Sequence, residues 1–393
     1  MTAPLEGLKI LDFSVLLPGP YATQMLADMG ADVLRIESPT RTDMMRIVEP
    51  QVGGISAAHG TVNRNKRSLT LDLKQPEAVA IVRQLVAEYD IIVEQFRPGV
   101  MSRLGLGYEA MAEINPALIY CSITGYGQTG PLKDRAGHDI NYLSLAGLAS
   151  FSGRESSGPV LSGTQIADVA GGSHHAVMGI LAAVIQRQAS GEGQHIDISM
   201  SDAALALTTM HGSSYLGGGH LPGLETEMLN GGTFYDYYRT ADHRYISVGS
   251  LEPQFFTAFF EAIGQPEWRK RATDPDHDAQ MNLKKDIQAI IGQKPFAEWK
   301  ALFAGLDACV EPVLTLEEVR EHPHFRDRGM FVKVPAPGGE ELLQIGNPIK
   351  FSGADSRYDF AGATLGAHND EVLDEMGFKR AEIEDLKNKG VTR

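Results

Sequence analysis

The sequence predicts an α/β protein whose large domain is built on a doubly wound parallel sheet, with a smaller domain after it. Three observations carry this. Through the first 125 residues, short apolar runs of strand length alternate with amphipathic stretches of helix length, the pattern of successive βαβ units. Proline and glycine stand where each helix should begin or stop. Beyond about residue 225 the composition shifts to closely spaced aromatics and a hairpin pattern. At 393 residues the chain also exceeds what one simple core usually holds, so two domains are expected.

The elements follow in order. Residues 9–13 read as a buried strand, and Pro18-Gly19-Pro20 as the turn after it, with Pro20 opening a helix through Met29 that Gly30 stops. Residues 32–36 return as a strand. Residues 69–73 form another, and 76–89 an amphipathic helix with Val79, Ile81, Val82, Leu85 and Val86 on its apolar side. Residues 91–93 read as strand, 108–114 as helix and 118–123 as strand. The strongest helix pattern spans 169–188 and ends at Gly191; a strand at 195–200 follows, then Ser201 as the N-cap of a helix through Thr209. Residues 212–232 are glycine-rich and expected to be irregular. Residues 233–250 read as a hairpin carrying Phe234, Tyr235, Tyr237 and Tyr238, with its turn at Ala241-Asp242-His243-Arg244. Helices are expected at 254–263, 284–291 and 296–306, and a helix-rich tail at 369–389. The domain reading is therefore a large domain at 1–210, a glycine-rich linker at 211–232, a small domain at 225–320, and a C-terminal segment, 325–393, returning to the large domain.

Hydrophobic content of 43% and charged content of 22% are those of an ordinary soluble enzyme. A net charge of −15 argues against nucleic acid or an anionic membrane as the main partner. An anionic small ligand remains compatible if basic residues cluster. Two cysteines, Cys121 and Cys309, supply neither a disulfide framework nor a CxxC pair, which fits a reducing cytoplasm. No signal-peptide pattern is read at the start. No apolar run is read as reaching about 18 residues, so no membrane span is expected. The final Val391-Thr392-Arg393 is not a peroxisomal tripeptide. His174-His175 and His322-Pro323-His324 lack ligand spacing, so no metal is expected.

Ligands of doubly wound sheets sit at the carboxyl ends of the strands. Those ends carry residues 14–20, 37–41, 95–98 and 124–131. The first turn, Leu17-Pro18-Gly19-Pro20-Tyr21-Ala22, lacks the G-x-G-x-x-G fingerprint, and so an NAD site is not expected although Glu37 stands where a ribose-binding acid would. Two residues in unusual contexts stand out: His138, in Gly137-His138-Asp139-Ile140-Asn141-Tyr142, and Asp168, which opens the strongest helix pattern. An imidazole and a carboxylate that meet across a pocket can remove a proton from one face of a carbon and return one to the other.

In this order and spacing, several motifs resemble the α-methylacyl-CoA racemase branch of the class III (formyl-CoA transferase-like) CoA-transferase family. They are Leu17-Pro18-Gly19-Pro20, Gly30-Ala31-Asp32-Val33, Asn65-Lys66-Arg67-Ser68, Phe96-Arg97-Pro98-Gly99-Val100, Thr124-Gly125-Tyr126-Gly127-Gln128-Thr129-Gly130-Pro131, Gly137-His138-Asp139-Ile140-Asn141-Tyr142, Leu251-Glu252-Pro253-Gln254-Phe255 and Leu365-Gly366-Ala367-His368. The resemblance covers nearly the whole chain. It implies an interlocked homodimer with a Rossmann-like large domain and a smaller α+β domain, each active site lying between the large domain of one subunit and the small domain of the other.

The resemblance also implies the chemistry. In the racemases a His and an Asp, matched here by His138 and Asp168, exchange the α-proton of a 2-methylacyl-CoA through an enolate. In the transferases the aspartate at the position of Asp168 is a nucleophile that forms an aspartyl-CoA intermediate, and an aromatic often replaces the His. The intact His138 motif favours a racemase. Glu252 is implied to support the His from the partner's small domain, and no cofactor beyond the CoA of the substrate is implied. Arg35, Lys66, Arg97, Arg103 and Arg135 are the candidate cations for the CoA phosphates, with Asp139 and Tyr142 shaping the loop and the substrate site. Backbone N–H groups at the Asp168 helix terminus could hold the thioester oxygen, and Gly171 and Gly172 would leave room for a ligand. Gly217-Gly218-Gly219 resembles a mobile transferase loop and points mildly the other way.

Overall fold

The computed structural model describes residues 3–393. The chain forms two compact units. The first contains the residues through Ala146, together with Gly163–Leu207 and Pro323–Arg393; the second contains Gly147–Ser162 and Thr208–His322.

The first unit is the doubly wound one. The strands of its main sheet and the main helices around it, in chain order, are β1 (Lys9–Asp12), α1 (Pro18–Asp28), β2 (Asp32–Glu37), β3 (Lys66–Thr70), α2 (Pro76–Val86), β4 (Ile91–Glu94), β5 (Ile119–Thr124), α3 (Asp139–Leu145), a π-helical stretch Ala167–His174 that runs into α4 (His175–Ser190), β6 (Gln194–Ser199) and α5 (Met200–Ala206). The six strands lie side by side in the order β6-β5-β4-β1-β2-β3, and every pairing is parallel. The order reverses direction between β1 and β4, which opens a crevice above their carboxyl ends.

Strand alternation builds the two cores. Ile10, Val33, Ile91 and Ile119 join Ala22 and Leu26 of α1 and Ile180 and Ala183 of α4 on one face. Leu11, Leu34, Ile92 and Tyr120 join Ile81, Val82 and Leu85 of α2 on the other. A sheet covered on both faces needs apolar residues at both parities, which is why these strands read as continuous apolar runs.

Residues Ala167–Ser190 form one continuous helical stretch of 24 residues with a mean hydropathy of 1.3 over its most apolar window, long and apolar enough by length and composition to cross a membrane. This corrects the sequence expectation that no run reaches that length. Ala167, Ala176, Val177, Ile180, Ala183 and Val184 of this stretch are buried in the core of the first unit. Met178 and Ile185 stay open.

The predicted strand at 69–73 lies three residues too late, because β3 begins at the charged Lys66. The C-terminal segment explains how charge is accommodated there. It runs along the outer edge of β3, where His368 N–H donates to the Ser68 carbonyl at 3.1 Å, and Ser68 N–H donates to His368 Nδ1 at 3.1 Å. Thr70 N–H donates to Asn369 Oδ1 at 2.8 Å, and Arg67 pairs with Glu371 and Glu375. The Leu365-Gly366-Ala367-His368 motif thus covers a sheet edge that would otherwise offer unpaired backbone groups. The tail is two helices, Asn369–Glu375 and Arg380–Asn388, broken at the positive-φ Gly377.

The second unit holds a three-stranded antiparallel sheet, in which Asp236–Arg239 pairs with Tyr245–Val248 and the latter with Val310–Pro312. Its helices Pro253–Ala262, His277–Ile291 and Phe296–Phe303 enclose an aromatic core of Phe234, Phe256, Phe259, Phe260, Trp299 and Phe303. Two boundaries differ from the sequence reading. Gly147–Ser162 groups with this unit and not with the first, because Arg154 pairs with Glu225 and Asp236, which also hold Lys284. The glycine-rich stretch is not a linker throughout: Thr209–Gly218 is helical, and Gly219 ends the helix at φ 73°.

Candidate active site

His138 and Asp168 line one cleft. It has a volume of about 450 Å³ and is walled by Leu16 and Pro18 after β1, Gln95, Phe96, Arg97 and Pro98 after β4, and Thr124 and Gly125 at the end of β5. The loop ahead of α3 contributes Lys133, Arg135 and Gly137, and Met200 opens α5 beneath it. This is the crevice at the reversal of strand order. Three of the four strand ends singled out in the sequence contribute. The end of β2 does not, since β2 lies on the far side of β1.

Local sequence places each member of the pair. His138 is the N-cap of α3, in extended conformation. Its N–H donates to Asn141 Oδ1 at 3.0 Å, and Asn141 N–H donates back to the His138 carbonyl at 2.8 Å. With the backbone so engaged, the imidazole is exposed to the cleft. Tyr142 fixes the loop from below. Its hydroxyl donates to the Gly137 carbonyl at 2.6 Å, and its ring meets Tyr126 edge-on at 5.2 Å. The ring passes so close to Gly125 that a Cβ there would stand 2.6 Å from it, so only glycine fits at this point of the motif.

Asp168 sits in the first turn of the π-helical stretch. π-Turns are rare and favour functional positions. Gly171 and Gly172 do not leave room for a ligand, contrary to expectation. Both are buried, and a Cβ on Gly172 would lie 2.9 Å from Pro18 and 3.3 Å from Met200, so these glycines let α1 and α5 approach. Nor are the first helical N–H groups free to hold a thioester oxygen. Ala167 and Asp168 N–H both donate to Asp139 Oδ1, at 2.6 and 3.2 Å.

The Asp168 carboxyl is half-buried and pushed up to about 6. Burial is the main cause, the nearby Asp139 charge adds to it, and His138 opposes it. A carboxylate of this strength is a better base near neutral pH than an ordinary one.

The candidate cations divide. Arg97 and Arg135 stand exposed on the cleft wall. Arg35 and Lys66 do not reach it and are corrected as ligand contacts. Arg35 is 1% exposed and bound between Glu37 and Asp43. Lys66 is 1% exposed, with its ammonium on Asp12 Oδ2, Asn63 Oδ1 and the Pro20 carbonyl. Burial pushes Lys66 down to about 8 while Asp12 opposes the loss of its charge. Both are internal ion pairs whose disruption would cost about 3–5 kcal/mol by leaving a buried charge unpaired. The neighbouring Glu37 is likewise engaged: burial works against its charge, but Arg35 and Arg46 overcome this and hold the carboxyl at about 2.

Arg103 is exposed at the end of the short helix Val100–Arg103, and Asp139 turns its carboxylate inward; neither lines the cleft. Glu252 is exposed at the start of helix Pro253–Ala262 in the second unit. Lys133 is a cleft cation that sequence reasoning missed. Its signal was its place two residues before Arg135 in the loop that ends at His138. Among the described residues, no group of three or more His, Cys, Asp or Glu side chains could hold a metal ion.

Fold and cleft together define a doubly wound α/β protein that presents a histidine and an aspartate at the switch point of its sheet. The chain belongs to CoA-transferase family III, which matches residues 5–369. It is 36% identical over 394 residues to alpha-methylacyl-CoA racemase of Homo sapiens, covering 98% of this chain and 96% of that one. It is 33% identical to succinyl-CoA:glutarate CoA-transferase of Homo sapiens, covering 95% of this chain and 86% of that one. Among solved structures, a CaiB/BaiF family protein from Brucella suis matches with a TM-score of 0.82 at 30% identity, covering 96% of this chain and 100% of that one. Racemases and CoA-transferases both occur among its relatives.

Proposed function

We propose that the protein is a 2-methylacyl-CoA racemase or epimerase. His138 and Asp168 act as the two bases of a 1,1-proton transfer through an enolate. The observation that carries this reading is that both side chains line one cleft, with the carboxyl pushed up to about 6. Inverting a carbon needs an acid on one face and a base on the other, and acyl transfer needs only the carboxylate. Arg97, Lys133 and Arg135 offer positive charge to the CoA phosphates. The reaction as read takes place in the cytoplasm and needs no cofactor besides the CoA of the substrate.

The protein is read as an interlocked homodimer in which Glu252 supports the imidazole from the partner's side. Open apolar residues on the first unit support an assembly: Ile140 and Leu145 on α3, Met178 and Ile185 on α4, and Leu205 on α5 are all more than half exposed.

The test is NMR of a chiral 2-methylacyl-CoA with the enzyme in D₂O. Loss of the α-hydrogen signal together with loss of optical purity, without any acceptor acid, is the expected result. No exchange, with CoA moving to an added carboxylate, would instead establish the transferase reading with Asp168 as nucleophile. Charge removal on the wall checks the CoA assignment. Lys133→Ala combined with Arg135→Ala should raise KM by roughly tenfold, leave kcat nearly unchanged, and flatten the salt dependence of kcat/KM. An unchanged KM would place the phosphates elsewhere.

A further inference from the structure

We propose that Asp139 is a positioning residue whose carboxylate joins the His138 arm of the cleft to the Asp168 arm and sets the charge environment of Asp168. The proposal rests on the reading of His138 and Asp168 as the acid/base pair. Asp139 follows His138 directly and occupies the first turn of α3. Its Oδ1 crosses to the other arm and accepts two backbone N–H groups, from Ala167 at 2.6 Å and from Asp168 itself at 3.2 Å. The first N–H groups of a helix have no partner within it. One carboxylate therefore closes the terminus that carries one base while anchored beside the other.

The same contact has an electrostatic consequence. A negative group at the backbone of Asp168 opposes ionisation of its side chain, adding to the effect of burial. The groups around Asp168 include opposing ones. His138 pulls the other way, Tyr142 lies close enough to feel the Asp168 charge, and Tyr126 meets Tyr142 edge-on. Arg97, Lys133 and Arg135 line the same cleft, while His174 and His175 follow Asp168 on its own helical stretch. Asp139 is the negative neighbour that burial works with to keep the carboxyl high.

Asn in place of Asp139 separates the two roles, since it keeps an oxygen acceptor and removes the charge. The Asp168 carboxyl is followed by NMR in protein labelled with ¹³Cγ-aspartate, its signal assigned by its absence from Asp168→Asn. In the unmodified protein the midpoint should lie near 6. Asp139→Asn should lower it toward about 5 and move the acid limb of kcat/KM by the same amount. At pH 8 that variant should keep kcat within about threefold. Asp139→Ala should lower kcat by about tenfold or more with little change in KM, because the turn is released. An unmoved Asp168 midpoint in Asp139→Asn overturns the proposal even if Asp139→Ala fails to fold. The titration needs no substrate, so it stands apart from failure of the racemase reading, which would show as absent α-hydrogen exchange in the unmodified enzyme.

Discussion

Replacing His138 by Ala should lower racemisation of a 2-methylacyl-CoA by about 10²–10⁴-fold in both directions, the usual worth of a positioned general acid or base. The loss is symmetric because each enantiomer needs one residue as base and the other as acid. α-Hydrogen exchange should survive for one enantiomer alone. Asp168 can still remove that proton, trade it with solvent and return a deuteron to the same face, giving labelled but uninverted product. His138 lines the cleft from an N-cap whose backbone is already held by Asn141, so the variant should fold. If His138→Ala racemises at near-normal rate, the two-base mechanism is wrong. A transferase would lose little, since its nucleophile is untouched.

The second large effect concerns Asp168. Asp168→Ala should reduce racemisation by a similar factor and leave exchange of the opposite enantiomer. In the unmodified enzyme kcat/KM should follow a bell-shaped pH profile, identical in the two directions. The two working forms, protonated His with carboxylate and neutral His with carboxylic acid, hold the same single proton, so their ratio does not change with pH. Below about 6 the carboxylate takes a second proton, and the rate should fall tenfold per pH unit. An acid limb that is absent, or that lies well away from pH 6, would contradict this.

Stability carries a linked sign. The carboxyl is pushed to about 6 in the folded protein from 3.8. Its contribution to stability is therefore fully present below 3.8 and lost as the pH rises through about 6. Asp168→Asn removes that loss. The variant should be more stable by about 1 kcal/mol at pH 8, after allowance for solvent screening in a half-open cleft, and by less at pH 5. Thermal melts at the two pH values check this; equal gains at both would place the cause in packing.

Much of the fold was legible because it rests on local rules. Pro at the start of α1, Gly30 at φ 103° after it and the apolar strand runs are each determined within a few residues. The π-helical start of the Asp168 helix was not legible, because only the approach of Pro18 and Met200 to Gly172 reveals why small residues stand there. The charged start of β3 was misread for a related reason. Lys66 and Arg67 are bad strand residues by composition, and they become good ones once Asp12, Asp32 and the first tail helix meet them.

The candidate site divides along the same line. The sequence by itself determined the alternating βαβ order, the residue types able to move a proton, and the motif string that marks the family, since these depend on chain-local pattern and on the chemistry of single side chains. Only the tertiary structure decided which charges face the cleft. Arg35 and Lys66 stood with Arg97 and Arg135 among the candidate cations of the chain, but the fold buried the first two against Glu37, Asp43 and Asp12 and left the others on the wall above the crevice. It also decided that Asp139 reaches across to the Asp168 turn. The physical reason is that burial and electrostatic partnership are properties of neighbours in space, and here those neighbours come from distant parts of the chain.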